Sequence, residues 1–530
     1  MIAPGGVNLA SAAAYNPAMS RTKAWLAGGL GVVVAIASAK LVLHLATASR
    51  YGYFGDELYF LACGDHLDWG YVDQPPLVGL VAWAVRHTLG TSLLAIRSVS
   101  AVAGAALVLL TGLLARELGG GRFAMGLSAL ASALAFVYVV MHYLFTMNAL
   151  EPLFWTGCAF LVVRIVKTGD QRLWLWFGLL AGLGLENKYS MGVYGLGLVV
   201  GLLLSPERQA LRKPWIWVGG VLAALVFLPN LLWNVRHGWP FLEFLRHVRE
   251  SGRDVVLSPL EYVAHQLFNA NPASLPIWLA GLGWLLLARR GRAFRPLGTA
   301  FLVTLAFFAL TKGKDYYVTP AFATLFAAGG VALEGFTAEG WRSRLRPVLV
   351  LLYVPSLLFL PFGLPILPPD VLIAYQQRLG LTLPSTEKAH ARAALPHHFA
   401  WQFGWDELVA AVAATYQALP KEEQARVAII GNNYGDSGAV DLLGPKYGLN
   451  LKALGTHQSY WLWGPGDTTK DVFIVLGDRP ESLRKWCEDV EVAAEPSHPW
   501  TAVWENRPIL VCRRPRMPLS EIWRRSRHWG

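Results

Sequence analysis

Two carboxylates stand side by side in an aromatic loop, Tyr53-Phe54-Gly55-Asp56-Glu57-Leu58-Tyr59-Phe60, which runs on to Asp73-Gln74-Pro75-Pro76. An acidic pair this close to a long apolar run has to be solvated, paired or put to use. Used chemically, one carboxylate is a general base or a ligand for a sugar or a metal ion, and the tyrosines form a platform. The plainer reading makes the pair the acidic start of a short helix, where the positive end of the helix dipole favours them. The sequence favours function, with Asp56 as the principal group and Glu57 beside it.

Further polar residues recur at the ends of apolar runs. In Phe145–Pro152, Glu151 suits a first helical turn, and equally suits orienting an acceptor or binding a cation. Lys188 lies in Glu186-Asn187-Lys188-Tyr189, between two apolar runs. It pairs with Glu186, or snorkels to the headgroups, or meets a lipid phosphate, and the last reading is preferred. Lys312 and Lys314 precede Tyr316 and Tyr317. The lysines are point charges for a phosphate, and the tyrosines suit either a substrate or an interfacial aromatic belt. Tyr59, His142, Tyr189, Tyr316 and Tyr317 complete the set as substrate-binding candidates. The charged residues of the 236–273 loop receive no individual roles.

These residues need a scaffold, and the composition supplies one. The chain has 530 residues, 54% hydrophobic and only 15% charged, with mean hydropathy +0.39. Such a chain reads as a polytopic α-helical membrane protein. About eleven spans are expected, at 24–47, 92–115, 123–142, 149–166, 173–187, 190–204, 215–234, 274–288, 297–311, 320–336 and 347–367. The apolar stretch 77–85 is too short to span and is expected to lie along the interface. Residues 1–367 thus form a membrane domain with an outer-face loop at 48–91, and 368–530 a soluble α/β domain.

Basic clusters from Arg21/Lys23 to Arg342/Arg344/Arg346 alternate with the remaining connections. The positive-inside rule then puts the N-terminus in the cytoplasm and the candidate site, with the C-terminal domain, on the outer face. In a bacterium this is the periplasmic side of the inner (plasma) membrane. The same clustering explains the net charge of +11 without nucleic acid. Cys63, Cys158, Cys487 and Cys512 have no metal spacing, and Cys487 with Cys512 form a candidate disulfide. In the soluble domain, strands are expected at 426–430, 471–475 and 509–512. The glycine-rich turn 431–438 matches neither a P-loop nor the dinucleotide fingerprint. Trp461 to Gly466 suits either sugar stacking or docking onto the membrane domain.

The Asp56-Glu57 loop, Pro75-Pro76-Leu77, Asn148–Glu151, Lys188-Tyr189 and Lys314–Pro320 together resemble the C-type membrane glycosyltransferases, in the protein-mannosyltransferase and lipid A aminoarabinose transferase branch. The resemblance covers residues 20–340 well and the outer domain loosely. It implies inverting transfer of a sugar from a polyprenyl-phosphate carrier to a lipid, glycan or protein acceptor. Asp56 matches the first-loop aspartate that activates or positions the acceptor hydroxyl, and Glu57 the neighbouring acid. Glu151 stands near the second acidic motif, with Glu for Asp and an offset. Lys188, Lys312 and Lys314 would stabilise the released phosphate. No cofactor is implied with certainty, and a divalent metal stays open. Two other function classes stand beside this reading: a transporter or flippase for a lipid-linked sugar, and a non-catalytic sugar- or lipid-sensing scaffold. No internal repeat supports the transporter.

Overall fold

A computed structural model describes residues 29–381, 387–388 and 393–529. The Arg21/Lys23 cluster and the start of the 24–47 span lie outside the described residues. The apolar runs expected to span are helical. Among the described residues, seven helices are long and apolar enough to cross a membrane. Two more pairs qualify together but bend, Ser190–Leu203 with Pro206–Arg212 by 109° and Pro259–Asn269 with Pro272–Leu287 by 97°. The two remaining expected spans are short. Arg122–Leu134 has 13 residues and Leu173–Asn187 has 15, and the longer reaches only about 22 Å of a core about 30 Å thick. Leu77–Thr88 is a separate amphipathic helix.

Small residues let these helices approach closely. Gly178 and Gly219 face each other, and a Cβ on Gly178 would strike the Gly219 carbonyl. A buried lysine serves the bundle differently. The helix starting at Arg122 breaks at Ala135, where ψ is 121°, and resumes as Phe136–Met141. Lys40, from the Gly29–Thr47 helix, places Nζ 3.2 Å from both the Ala133 and Tyr138 carbonyls. His44 Nε2 lies 3.2 Å from the Val139 carbonyl. Backbone groups in an apolar core need such partners, so these polar side chains mend a broken helix.

The soluble domain carries a five-stranded mixed sheet: β1 (Val427–Gly431), β2 (Ala453–Gly455), β3 (Val472–Leu476), β4 (Cys487–Ala494) and β5 (Ile509–Pro515). The order is β2-β1-β3-β5-β4. β1 is parallel to β2 (Ile430↔Leu454) and to β3 (Ile429↔Ile474), while β5 is antiparallel to β3 and β4. β1 and β3 are near-continuous apolar runs, as strands covered on both faces must be. Cys487 and Cys512 form a disulfide between β4 and β5.

The helix after β1 begins at Tyr434, capped by Asn433, whose side chain accepts from the Gly435 and Asp436 amides. This helix packs on the one that carries Asp56, so that Gly438 lies against Leu58. The soluble domain thereby closes over the first loop. Trp463 takes the docking role, stacking on His66 at 4.2 Å. Trp461 donates to the Trp523 carbonyl, 2.9 Å, within the soluble domain.

Candidate active site

Asp56 and Glu57 open the helix Gly55–Asp65, and adjacent positions on a helix point about 100° apart. Their environments differ accordingly. Glu57 is fully buried and saturated. The Phe54 and Phe145 amides donate to it at 2.9 and 2.8 Å. Arg97 adds a two-pronged pair, Nε to Oε1 at 2.8 Å and a terminal nitrogen to Oε2 at 2.7 Å. Arg97 also reaches the Ala48 and Gly52 carbonyls, the Tyr143 hydroxyl and Gln402 of the soluble domain. Glu57 is therefore not presented to substrate as a second acid. It locks the loop so that Asp56 faces the other way.

Asp56 is partly exposed, and its Oδ1 accepts the Tyr434 hydroxyl at 2.8 Å. Burial pushes its carboxyl up to about 6, partly opposed by the Tyr434 hydrogen bond and by the Lys314 charge. Burial and the adjacent Asp56 charge hold the Tyr434 phenol well above its ordinary range, so it stays a donor. The Tyr434 ring is stacked between Tyr59, at 4.6 Å, and His457, at 5.0 Å. Tyr59 donates to Asp73 Oδ1 at 2.9 Å. Asp73, also partly exposed, is pushed up to about 7 by burial and, in lesser part, by the Asp56 charge. The acidic half of the site is thus Asp56 and Asp73, joined through stacked tyrosines.

The basic half comes from three loops. Lys188 occupies the extended residue between Leu173–Asn187 and Ser190–Leu203. It pairs with Glu151 at 2.9 Å and donates to Asn148 at 2.7 Å, with Ser190 as the other partner of Glu151. Its ammonium lies 4.6 Å from the Tyr317 ring centroid and 5.4 Å from that of Tyr316. Lys188 therefore pairs with Glu151, not Glu186. Lys314 meets Glu387 at 3.1 Å and Asp254 at 3.7 Å. The 252–254 segment is held against 387–388: the Lys388 amide donates to the Arg253 carbonyl at 2.9 Å, and Asp254 bridges Glu387. This strap carries Arg253, whose charge acts on Asp73, Tyr434, His457 and His528. Arg253 Nε is buried 3.7 Å from Asp254 Oδ1, with no hydrogen-bond partner among the described residues.

Three candidates lie elsewhere. His142 is fully buried, Nδ1 2.6 Å from the Tyr138 carbonyl, and packs with Lys40 against Gly104. It belongs to the broken-helix repair and not to a substrate surface. Tyr189 turns away toward Asn230, at 3.1 Å, and lies tilted against Phe241, ring centroids 4.3 Å apart. Lys312 is exposed in a left-handed turn, φ 59°, with no ion pair among the described residues.

Residues to which the sequence assigns no role complete the site: Asp73 and Arg253, which lie in segments it singles out, and Arg97, Tyr434 and His457. Arg97 had a usable signal, an arginine near the start of an apolar helix, far from the basic cluster at its other end. Among the described residues no group of three His, Cys, Asp or Glu side chains is placed to hold a metal ion.

Residues 73–233 match the family model of dolichyl-phosphate-mannose-protein mannosyltransferases. That span includes Glu151 and Lys188 and stops short of Asp56 and Lys314. No curated protein matches the sequence. Among solved structures, ArnT from Cupriavidus metallidurans bound to undecaprenyl phosphate superposes with TM-score 0.59 at 16% identity, covering 91% of this chain and 98% of that one. The apo state of the same protein gives 0.58 at 16% identity, covering 91% and 97%. At that identity the likeness is one of fold. Fold and family match agree, and the chain is similar to the C-type membrane glycosyltransferases, on the branch of the protein mannosyltransferases and the lipid A aminoarabinose transferase.

Proposed function

We propose that the chain is an inverting glycosyltransferase that moves a sugar from a polyprenyl-phosphate carrier to a hydroxyl of a lipid, glycan or protein acceptor. The observation that carries this reading is the meeting of a partly exposed carboxyl near neutrality, Asp56, with a basic arc of Lys314, Lys188 and Arg253. Direct displacement needs those two things. The acceptor oxygen loses its proton to Asp56 as it bonds to the anomeric carbon, and the bond from that carbon to the phosphate oxygen breaks. The carrier phosphate leaves with the electron pair, where fixed positive charges stabilise it. Tyr316 and Tyr317 flank the Lys188 ammonium at cation–π distance and help to hold it in place. Asp73 shares the acidic half and supports the acceptor side.

The site and soluble domain are read as lying on the outer face of the membrane, the periplasmic side in a bacterium, which the basic loop clusters support. The test is transfer from a labelled polyprenyl-phosphate sugar by the purified protein in detergent. Asp56→Asn is expected to lose turnover while remaining inserted and folded. Turnover retained in that variant removes Asp56 as the base. Turnover in detergent, with no second compartment, separates transfer from transport.

A further inference from the structure

The soluble sheet has a feature that the proposed transfer does not use. β1 lies between β2 and β3, all parallel. The chain leaves β1 for β2 on one side and crosses over β1 to reach β3, so the strand order reverses between β1 and β3. In open α/β sheets a crevice forms outside the carboxyl ends of the strands at such a point, and ligands bind there. A crevice of about 540 Å³ stands at that place, lined by Asn432 after β1, Gly477 and Arg479 after β3, Ser482, and Arg507 before β5. Its volume is that of a small-molecule site, about 300–1,000 Å³.

The lining is cationic and rich in donors. Arg479 is exposed and has no ion pair among the described residues. One terminal nitrogen of Arg507 rests on the Gly477 carbonyl at 3.1 Å, and its charge is shared with the Asp436 and Glu505 carboxyls. Asp478 is the acidic residue of the lining, and its Oδ1 accepts the Arg479 amide at 2.7 Å. Gly477 has φ 72°, and a Cβ there would lie 3.1 Å from Asn432 and 3.4 Å from Arg507. Glycine thus lets the walls stand close around the crevice. An apolar pocket of about 110 Å³ adjoins it, sharing Asn432 and Asp478, and is lined by Phe473, Trp486, Leu519 and Trp523.

We infer that this crevice is a second ligand site, one that takes a small organic phosphate. The phosphate lies between the guanidinium groups of Arg479 and Arg507, with Ser482 and Asn432 as neutral donors. The ring or apolar body of the ligand lies against Trp486 and Trp523. Planar guanidinium forks suit a phosphate better than a single-point ammonium does. An apolar pocket beside them selects an ester over the bare ion.

Hydrogen–deuterium exchange of the full chain in detergent, with millimolar glucose 1-phosphate as probe and glucose as the neutral control, tests this. Peptides covering 477–483 and 505–510 are expected to exchange more slowly with the ester and to be unaffected by glucose. Arg479→Glu is expected to weaken the response about tenfold or more, the loss of a charge-assisted hydrogen bond. Because Arg479 is exposed, exchange in β1 and β3 without the probe is expected to stay unchanged. No protection in these peptides, equal protection by glucose, or protection undiminished in Arg479→Glu overturns the site. Protection by inorganic phosphate equal to that by the ester overturns the role given to the apolar pocket.

Discussion

Replacing Tyr434 with Phe removes one hydroxyl and leaves the ring stacked between Tyr59 and His457. That hydroxyl is a hydrogen-bond donor to Asp56, at 2.8 Å. It stabilises the charged carboxylate and opposes the burial that lifts the group to about 6. A hydrogen bond to a charged group contributes about 1.5–3 kcal/mol, and 1.36 kcal/mol corresponds to one pH unit. Tyr434→Phe should therefore raise Asp56 by about 1–2 units, to about 7–8. At pH 7 the ionised fraction falls from about nine-tenths to between about one-half and one-tenth. The rate falls about two- to tenfold if ionised Asp56 is the base. The assay is kcat/KM for labelled sugar transfer between pH 5 and 9. The acid limb should move up by about 1–2 units, with wild-type activity regained near pH 9. An unmoved limb, or a loss that alkaline pH does not repair, refutes the role of ionised Asp56.

Other consequences follow from the same geometry. Glu57→Leu or Arg97→Met alone leaves a buried charge without its partner and should cost about 3–5 kcal/mol, while the double variant costs less than the sum; thermal stability of the detergent-solubilised protein measures both. Asp73 has a raised pKa in the folded state, so its burial subtracts stability as pH rises from about 4 through 7. Asp73→Asn should thus raise the thermal midpoint at pH 8 and leave it nearly unchanged at pH 4. Lys314→Ala removes a charge that favours ionised Asp56, so the acid limb of the rate profile should shift upward and KM for the donor should rise. Gly219→Leu should abolish recovery of folded protein, because its Cβ would strike the Trp174 carbonyl across the helix pair.

The sequence made the apolar runs legible because hydrophobic length is a local property, and those runs are helical. β1, β3 and β5 were visible as short apolar stretches. β2 has only three residues, and β4 is half exposed and charged, so neither carries a strong period. The acids were harder to sort. The sequence ranks Asp56 above Glu57 by resemblance alone, and what separates them physically is Arg97, 40 residues away. His142 shows the converse error. A histidine near the end of an apolar run suggests a substrate contact, whereas its neighbour is a helix break that only the folded chain reveals. Asp73 and Tyr434 needed the stacked tyrosines to be recognised.

The hydroxyl that meets Asp56 lies 378 residues downstream. At translation rates of about 5–20 residues per second, the first loop waits roughly 20–75 s for it. During that interval the membrane helices can insert in order, but the Arg97 hub lacks Gln402 and Asp56 lacks its donor. If Asp56 is the base proposed above, the site is therefore complete only once the last third of the chain has folded onto the first loop.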